Sequence, residues 1–430
     1  MKNIKIKINR LGAIRNSEIE VCPFLIFTGE SGLGKSYAAF LAHYVFAILG
    51  GTRLTHYFDY LSSDSLPQTP QNGDVLLNVE TQSLFSWINS DAIYYIGYMI
   101  GHQTFAGEIE IEWPIQKKEF VFRYQEEMIG IANKEEVISK ISSENFTFNL
   151  YSADQTEMGR RNMYVNAFQS LIRAEISKAI FGEFPGFINE FILPPSRGAL
   201  MELNERPPFM SGMYNEFFDF KINLFQPVKK ATVPDLSLIS LLQRLITGDI
   251  KQSGATFNYQ TTDGVMMPLT AAASSVKELA PFILLISKYN LANTSILFEE
   301  PEAHLHPKRQ NFMADLLGVA LNQGCNLQIT SHSDFFIRRL NLLVRLFSIN
   351  NGSVEFSNLL NKYQIPFDSL IDPSKIKAYV LRKQDDGYSK IEEMDVSVKS
   401  GIPFESFNPA IIESLNIEDD INNFEERSNI

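Results

Sequence analysis

Gly29-Glu30-Ser31-Gly32-Leu33-Gly34-Lys35-Ser36 is a complete phosphate-binding loop of the form G-x-x-x-x-G-K-[ST]. The apolar run Phe24-Leu25-Ile26-Phe27 before it reads as a buried strand, and Tyr37-Ala38-Ala39-Phe40-Leu41-Ala42 after it as the opening of a helix. The chemistry needs that order. Glycines let backbone N–H groups close around phosphate oxygens, and the helix N-terminus adds its partial positive charge. In such a loop Lys35 reaches the β- and γ-phosphate oxygens, and the Ser36 hydroxyl ligates Mg²⁺. The expected fold class is α/β, and the expected ligand is a nucleoside triphosphate.

Upstream, Ile4, Ile6 and Ile8 alternate with Lys5 and Lys7, and Ile19 and Val21 alternate with Glu18 and Glu20. This predicts two antiparallel strands joined by a turn at Gly12. Such a lobe suits the base of a nucleotide, with Arg10 and Ile14 as candidate contacts. The chain has 430 residues, 45% hydrophobic and 20% charged, which excludes wholesale disorder. A net charge of −12 argues against a surface that coats nucleic acid and leaves only a local basic groove for DNA. Cys22 and Cys325 each lie beside a predicted core strand and are expected as buried thiols. No signal segment opens the chain, and the most apolar run, Ala38 to Leu49, is too short to span a bilayer. It is read as the buried helix behind the loop. The expectation is a soluble, cytoplasmic protein with no membrane partner.

A second constellation follows far downstream. Ser295-Ile296-Leu297-Phe298-Glu299-Glu300 describes a buried strand whose acidic end emerges where an α/β sheet places its ligands. Glu299 would hold Mg²⁺, and Glu300 would orient and deprotonate the attacking water. Adjacent strand residues point to opposite sides, so both roles require the strand to end there. After a helix from Lys308, the strand Asn326-Leu327-Gln328-Ile329-Thr330 ends in Ser331-His332-Ser333-Asp334, which places His332 to meet the γ-phosphate. His304 and His306 have no further Cys or His beside them, which disfavours zinc.

Residues 299–307, Glu-Glu-Pro-Glu-Ala-His-Leu-His-Pro, match throughout the acidic string of one branch of ATPases. The chain resembles the ATP-binding-cassette class of ATPase heads, and within it the RecF/SMC/OLD branch, for which Thr330-Ser331-His332-Ser333 is also typical. The resemblance covers residues 1–50 and about 190–400. It implies a P-loop NTPase of the ABC/SMC-head type: a RecA-like mixed sheet with flanking helices, an N-terminal antiparallel β lobe and a compact α+β insertion. It further implies ATP and Mg²⁺ as ligands, with Gly29 to Ser36 as the cradle and Ser36 and Glu299 on the metal. Glu300, His332 and Lys35 would be the catalytic set. The signature segment Ala273-Ser274-Ser275-Val276-Lys277-Glu278-Leu279 would present Ser275 in trans, within an ATP-sandwiched homodimer or a larger even assembly. The segment departs from the usual pattern in Val276, where glycine often sits, and in Pro281 within the following helix. Leu193-Pro194-Pro195-Ser196-Arg197-Gly198 is similar to a Pro-x-x-Arg segment of OLD-like ATPases, which implies that Arg197 approaches nucleotide or the dimer face. Gln103 is one candidate for the metal-coordinating glutamine of the class.

Four regions are expected: residues 1–52 and 191–352 as the two parts of the ATPase head, 53–190 as an insertion, and 353–430 as a C-terminal α/β extension with an acidic tail. In the insertion, residues 61–74 read as an exposed loop, 107–113 and 119–124 as strands, and 162–181 as a helix. No heptad repeat is sustained enough for a long coiled coil. Residues 375–381 and 388–394 predict a hairpin turning at Asp385-Asp386-Gly387. No constellation of acidic ligands typical of a nuclease domain follows His332. The resemblance is therefore to stand-alone ATPases of bacterial anti-phage systems, acting beside a separate effector such as a nuclease. The alternative is a RecF-like repair clamp on duplex DNA. A transporter subunit is disfavoured by the hairpin-first lobe and the acidic string.

Overall fold

The computed structural model describes residues 2–51, 53–61, 75–131, 134–152, 157–184, 186, 188–203, 205–226, 236–254, 256–397, 401–402 and 416–419. Strands β1 (Ile4–Leu11) and β2 (Ile14–Val21) form the predicted hairpin, and β3 (Phe24–Gly29) runs into the phosphate loop and α1 (Lys35–Gly50). Next come α2 (Arg53–Tyr60), β4 (Val75–Glu80), α3 (Thr81–Ile100) and β5 (Gly107–Glu112). A meander of β6 (Glu119–Ile131), β7 (Lys134–Ser142) and β8 (Thr147–Ser152) leads to the long helix α4 (Glu157–Phe181). Strand β9 (Asn189–Leu193) precedes α5 (Arg197–Glu202), α6 (Gly212–Leu224) and α7 (Leu236–Leu245). A small sheet follows, built from β10 (Gly248–Ser253), β11 (Thr256–Thr261) and β12 (Met266–Pro268). Then come α8 (Ser274–Lys288), β13 (Thr294–Glu299), α9 (Pro307–Asn322) and β14 (Asn326–Thr330). The chain continues through α10 (Asp334–Ile349), α11 (Val354–Lys362), β15 (Ile376–Lys383) and β16 (Ser389–Met394).

Nine strands form the main sheet in the order β5-β1-β2-β16-β15-β3-β14-β13-β9. From β15 to β9 the pairing is parallel, whereas β5, β1 and β2 make an antiparallel lobe. Strand β3 is buried on both faces, so every side chain is apolar until Thr28. Leu25 and Phe27 enter one core and Phe24 and Ile26 the other. The first core holds α1, which is apolar all round because it lies between the sheet and the helices α3 and α4. The second holds α6 to α10. Cys22 and Cys325 are both buried free thiols. No single helix among the described residues is long and apolar enough to cross a membrane.

The boundaries expected at 53 and 353 do not separate the sheet. Strand β5, from the insertion, pairs with β1 at the edge. The predicted 376–394 hairpin, expected in an appended extension, fills the centre. Strand β15 pairs with β3 from Ile376 opposite Phe24 to Leu381 opposite Gly29. Local alternation marks a strand but not a partner this distant in the chain. The two strands read at 107–113 and 119–124 likewise lie in different sheets, since β6 belongs to the four-stranded sheet β4-β6-β7-β8. Helix α4 covers the predicted 162–181 and packs Phe168 against Phe122 and Tyr124 of that sheet. Most of the loop expected at 61–74, and the tail beyond residue 419, lie outside the described residues.

Helices α9 and α10, which follow β13 and β14, are tied by a buried fork. Arg339 donates from Nε to Asp315 Oδ1 (2.7 Å) and from its terminal nitrogen to Oδ2 (2.8 Å), with Asp315 wholly buried. Asp315→Ala leaves that guanidinium buried without a partner and is expected to cost about 3–5 kcal/mol of unfolding free energy in urea titration. An Asp315→Leu/Arg339→Met double variant, which removes both charges, is expected to recover most of the loss.

Candidate active site

Because β3, β14 and β13 are parallel neighbours, their C-terminal ends open side by side at one edge. There the structure brings together Gly29 to Ser36, Glu299, Glu300 and His332. The loop owes its shape to three glycines with positive φ: Gly29 (128°), Gly32 (82°) and Gly34 (101°). A Cβ on Gly29 would lie 2.5 Å from the carbonyl oxygen of Leu381, so β15 closes down on the loop from one side. A Cβ on Gly32 would meet nothing within 4 Å, and Glu30, Ser31 and Gly32 are exposed, as a cradle for phosphate requires. Lys35 is buried, and its ammonium donates to the carbonyls of Gly29 (3.1 Å) and Glu30 (2.7 Å). Burial lowers its pKa, and Glu300 and Glu299 oppose that shift. Ser389 Oγ braces the loop by donating to the Leu33 carbonyl at 2.7 Å.

Glu299 is buried at the last position of β13. Its Oε2 accepts from Ser36 Oγ (2.9 Å) and Thr330 Oγ1 (3.3 Å), while its buried Oε1 has no partner. Burial pushes its pKa up to about 7; the two hydroxyls oppose the shift and Glu300 adds to it. This carboxylate with one uncommitted oxygen, joined to a hydroxyl, fits a divalent cation by the chemistry of its donors. The strand stops at Glu300, which takes a left-handed backbone (φ 47°) held by its N–H donating to the Thr330 carbonyl at 3.1 Å. That turn sends its carboxylate outward, 41% exposed, with Oε1 at 4.0 Å from His332 Nε2. Burial, then Lys35, lowers the pKa of His332 and favours the neutral ring, with Glu300 opposing.

Glu302, which the sequence reading passed over, holds the histidine loop. Its buried Oε1 accepts from Ser331 Oγ (2.8 Å), His332 N–H (2.9 Å) and Ser333 N–H (3.2 Å). The signal available was a third acid in Glu299-Glu300-x-Glu302. Several expected contacts differ. Ile14 is wholly buried, and a Cβ on Gly34 would touch its side chain at 3.1 Å, so it supports the loop from beneath and offers no face to a base. Arg10 is exposed. Arg197 is wholly buried and so presents no surface to a partner; its guanidinium is engaged by the main-chain carbonyls of Glu278 and Glu299. Gln103 lies exposed in the turn after α3, two residues from Phe105, whose ring meets Tyr37 edge-on at 5.5 Å. His306 caps α9, its Nδ1 accepting from the Lys308 N–H at 3.3 Å.

Ser275 lies in the first turn of α8, whose N-cap is Ala273, so neither Ser274 nor Ser275 caps the helix. Both hydroxyls are without a hydrogen-bond partner among the described residues, and none links this helix end to the phosphate loop of the same chain. Val276 is buried in the second core, and α8 continues through Pro281.

One strand separates the loop strand from the acidic strand, and an antiparallel lobe precedes both. With the loop, the acid pair and the histidine at one edge, these features make a P-loop ATPase with a mixed sheet, flanking helices and an antiparallel lobe. Residues 202–337 match the AAA ATPase domain family. That span holds α8, β13 and His332; the phosphate loop stands on its own motif. A comparison with curated proteins found no match. Among solved structures the chain is similar to the SMC head domain from Thermotoga maritima, at 9% identity over 92% of this chain and 100% of that one, with a TM-score of 0.33. It is also similar to the Smc head domain with an extended coiled coil bound to the C-terminal domain of ScpA, from Pyrococcus furiosus, at 11% identity over 98% of each chain, with a TM-score of 0.35. The SmcHead bound to the C-winged helix domain of ScpA gives 12% identity over 91% of this chain and 96% of that one, with a TM-score of 0.36. With TM-scores this low, the assignment stands on sheet order and site.

Glu302→Ala removes the acceptor shared by two consecutive amides. The His332 and Ser333 N–H groups are expected to lose at least about tenfold in hydrogen-exchange protection, roughly the loss of one charge-assisted bond. The amides of β13 should keep theirs. Unchanged protection at 332–333 contradicts the assigned clamp.

Proposed function

We propose that this ATPase works as a nucleotide-gated dimer, and that the observation carrying the reading is Glu299, bonded to Ser36 through one oxygen and uncommitted at the other. Ser36 and Glu299 would hold Mg²⁺, which would neutralise charge on the phosphates during transfer. The N–H groups of Gly29 to Ser36 cradle the phosphates and Lys35 turns from the loop carbonyls to the β/γ oxygens. Glu300, aimed outward by its backbone, takes the proton of the attacking water. His332 in its neutral form, held by Glu302, orients that water or the γ-phosphate beside Glu300. The serine hydroxyl and free N–H groups at the start of α8 complete the γ-phosphate site of a partner protomer, with Ser275 as the donor. Two protomers thereby close over two ATP molecules, and hydrolysis reopens them.

The finer role rests on the resemblance of the 299–307 string to stand-alone ATPases of bacterial anti-phage systems. On that pattern the closed and open dimers control a separate effector protein such as a nuclease.

Glu300→Gln is expected to keep ATP binding and to lose about a hundredfold or more in hydrolysis. By light scattering it should double in mass with ATP–Mg²⁺ and remain at the starting mass with ADP–Mg²⁺. A mass that ignores nucleotide contradicts gating by dimerisation. A second outcome follows from Glu299. Its pKa lies near 7, so below that pH the carboxyl is protonated and competes with the metal, and above it the carboxylate is free. The Mg²⁺ concentration giving half-maximal hydrolysis is expected to be about tenfold higher at pH 6 than at pH 8. Glu299→Gln should abolish that dependence along with tight metal binding.

A further inference from the structure

Arg197 is the largest wholly buried side chain among the described residues, yet it makes no hydrogen bond to a carboxylate. Its Nε donates to the main-chain carbonyl of Glu278 (2.9 Å) and lies 3.6 Å from that residue's carboxylate. One terminal nitrogen donates to the carbonyls of Pro194 (3.2 Å) and Glu299 (2.9 Å), and the other to that of Glu300 (3.3 Å). The plane lies over the Phe298 ring at 4.6 Å. Glu278 belongs to the second turn of α8, and Glu299 and Glu300 end the acidic strand. A single guanidinium therefore ties the signature helix to the backbone of the acid pair.

An apolar side chain would fill this space without desolvating a charge. Burial pushes the arginine down to about 10. What the guanidinium adds is direction: fixed donors that reach two separate elements at once. The contact has no slack. A Cβ on Gly198 would lie 3.0 Å from Glu278 Oε1 and 3.1 Å from the Glu278 nitrogen, so the start of α5 abuts α8 directly. Lys277 and Glu202 tie the same two helices again at 2.6 Å. Glu300 sits in a left-handed backbone conformation, where a small main-chain shift re-aims a carboxylate.

We infer that Arg197 is a positioning residue that couples the N-terminus of α8 to the carboxylate of Glu300 in the same chain. The inference rests on the proposal above that this helix end meets a γ-phosphate bound by the partner protomer. Movement of α8 on meeting that phosphate is carried through Arg197 to the Glu299 and Glu300 carbonyls. Each protomer's water-activating acid is then set by the nucleotide bound across the dimer, and the two sites hydrolyse cooperatively.

The test compares wild type, Arg197→Lys and Gly198→Ala in the full chain. Lysine keeps the charge but cannot span both elements; alanine at 198 keeps every donor but wedges α5 from α8. Wild type is expected to show hydrolysis rising with ATP with a Hill coefficient above 1. Arg197→Lys should bind ATP within about threefold of wild type and should still gain mass with ATP when combined with Glu300→Gln. Its kcat should fall by about tenfold or more, with the Hill coefficient falling to 1. Gly198→Ala should shift kcat in the same direction and carries the test if Arg197→Lys does not fold. A wild-type Hill coefficient of 1, or variants with wild-type kcat and steepness, overturns the coupling. So does a loss of kcat, ATP affinity and thermal midpoint together, which marks a merely structural arginine. If Glu300→Gln alone never gains mass with ATP, it is the dimer reading that fails.

Discussion

The site depends on the register of three parallel strands. Phe27 of β3 lies opposite Thr330 of β14, and Thr330 lies opposite Glu299 of β13. That alignment places the phosphate loop, the histidine loop and the acid pair at one height, with Thr330 Oγ1 bonded to Glu299 across the join. A slip of one residue would turn Glu299 to the opposite face and part it from Ser36. The apolar side chains of β3, alternating between two cores, make such a slip costly, because every one of them would exchange cores. Packing energy on both faces of the sheet is thus what sets the distance between a hydroxyl and a carboxylate at its edge.

Much of this was legible in the chain itself. The loop, the acid pair and His332 are short contiguous motifs, each at a strand end marked by an apolar run, so local pattern suffices to find them. Long-range pairing is different. Leu381 and Ser389 press on Gly29 and Leu33 from the far end of the sequence, and nothing in 376–394 beyond a buried-strand pattern points to β3 as its partner. Arg197 shows the same limit in another form. Its proline-stiffened surroundings suggest an exposed loop, whereas the guanidinium is drawn inward by carbonyls at the end of β13 and in the second turn of α8. Ile14, in the turn of a lobe suited to a nucleotide's base, reads as a candidate contact to that base, but the turn folds it beneath the loop. Buried polar links of this kind have no periodicity in sequence.

Burial acts on the ionisable groups of the site in a consistent direction. Glu299 is held toward its neutral form by burial, and Lys35 and His332 likewise. Such a cluster is costly to keep away from its ligand, since each ion is incompletely paired by protein groups alone. Nucleotide with its metal would supply the missing counter-charges: phosphate for Lys35 and a divalent cation for Glu299. Electrostatics alone therefore favours occupation of the site.

A mixture of two inactive variants tests the shared site most directly. Lys35→Ala removes the cradle function of one protomer, and Ser275→Arg removes the donation that a protomer makes to its partner. If each site takes its loop from one chain and its serine from the other, a mixed dimer carries one doubly damaged site and one intact site. Mixing the two variants is expected to restore ATP hydrolysis that neither shows alone, at the reduced rate of an uncoupled site, because the Glu300 of the intact site belongs to the chain whose own helix end is blocked. Continued inactivity of the mixture, with both variants folded and able to associate, would contradict a site completed in trans.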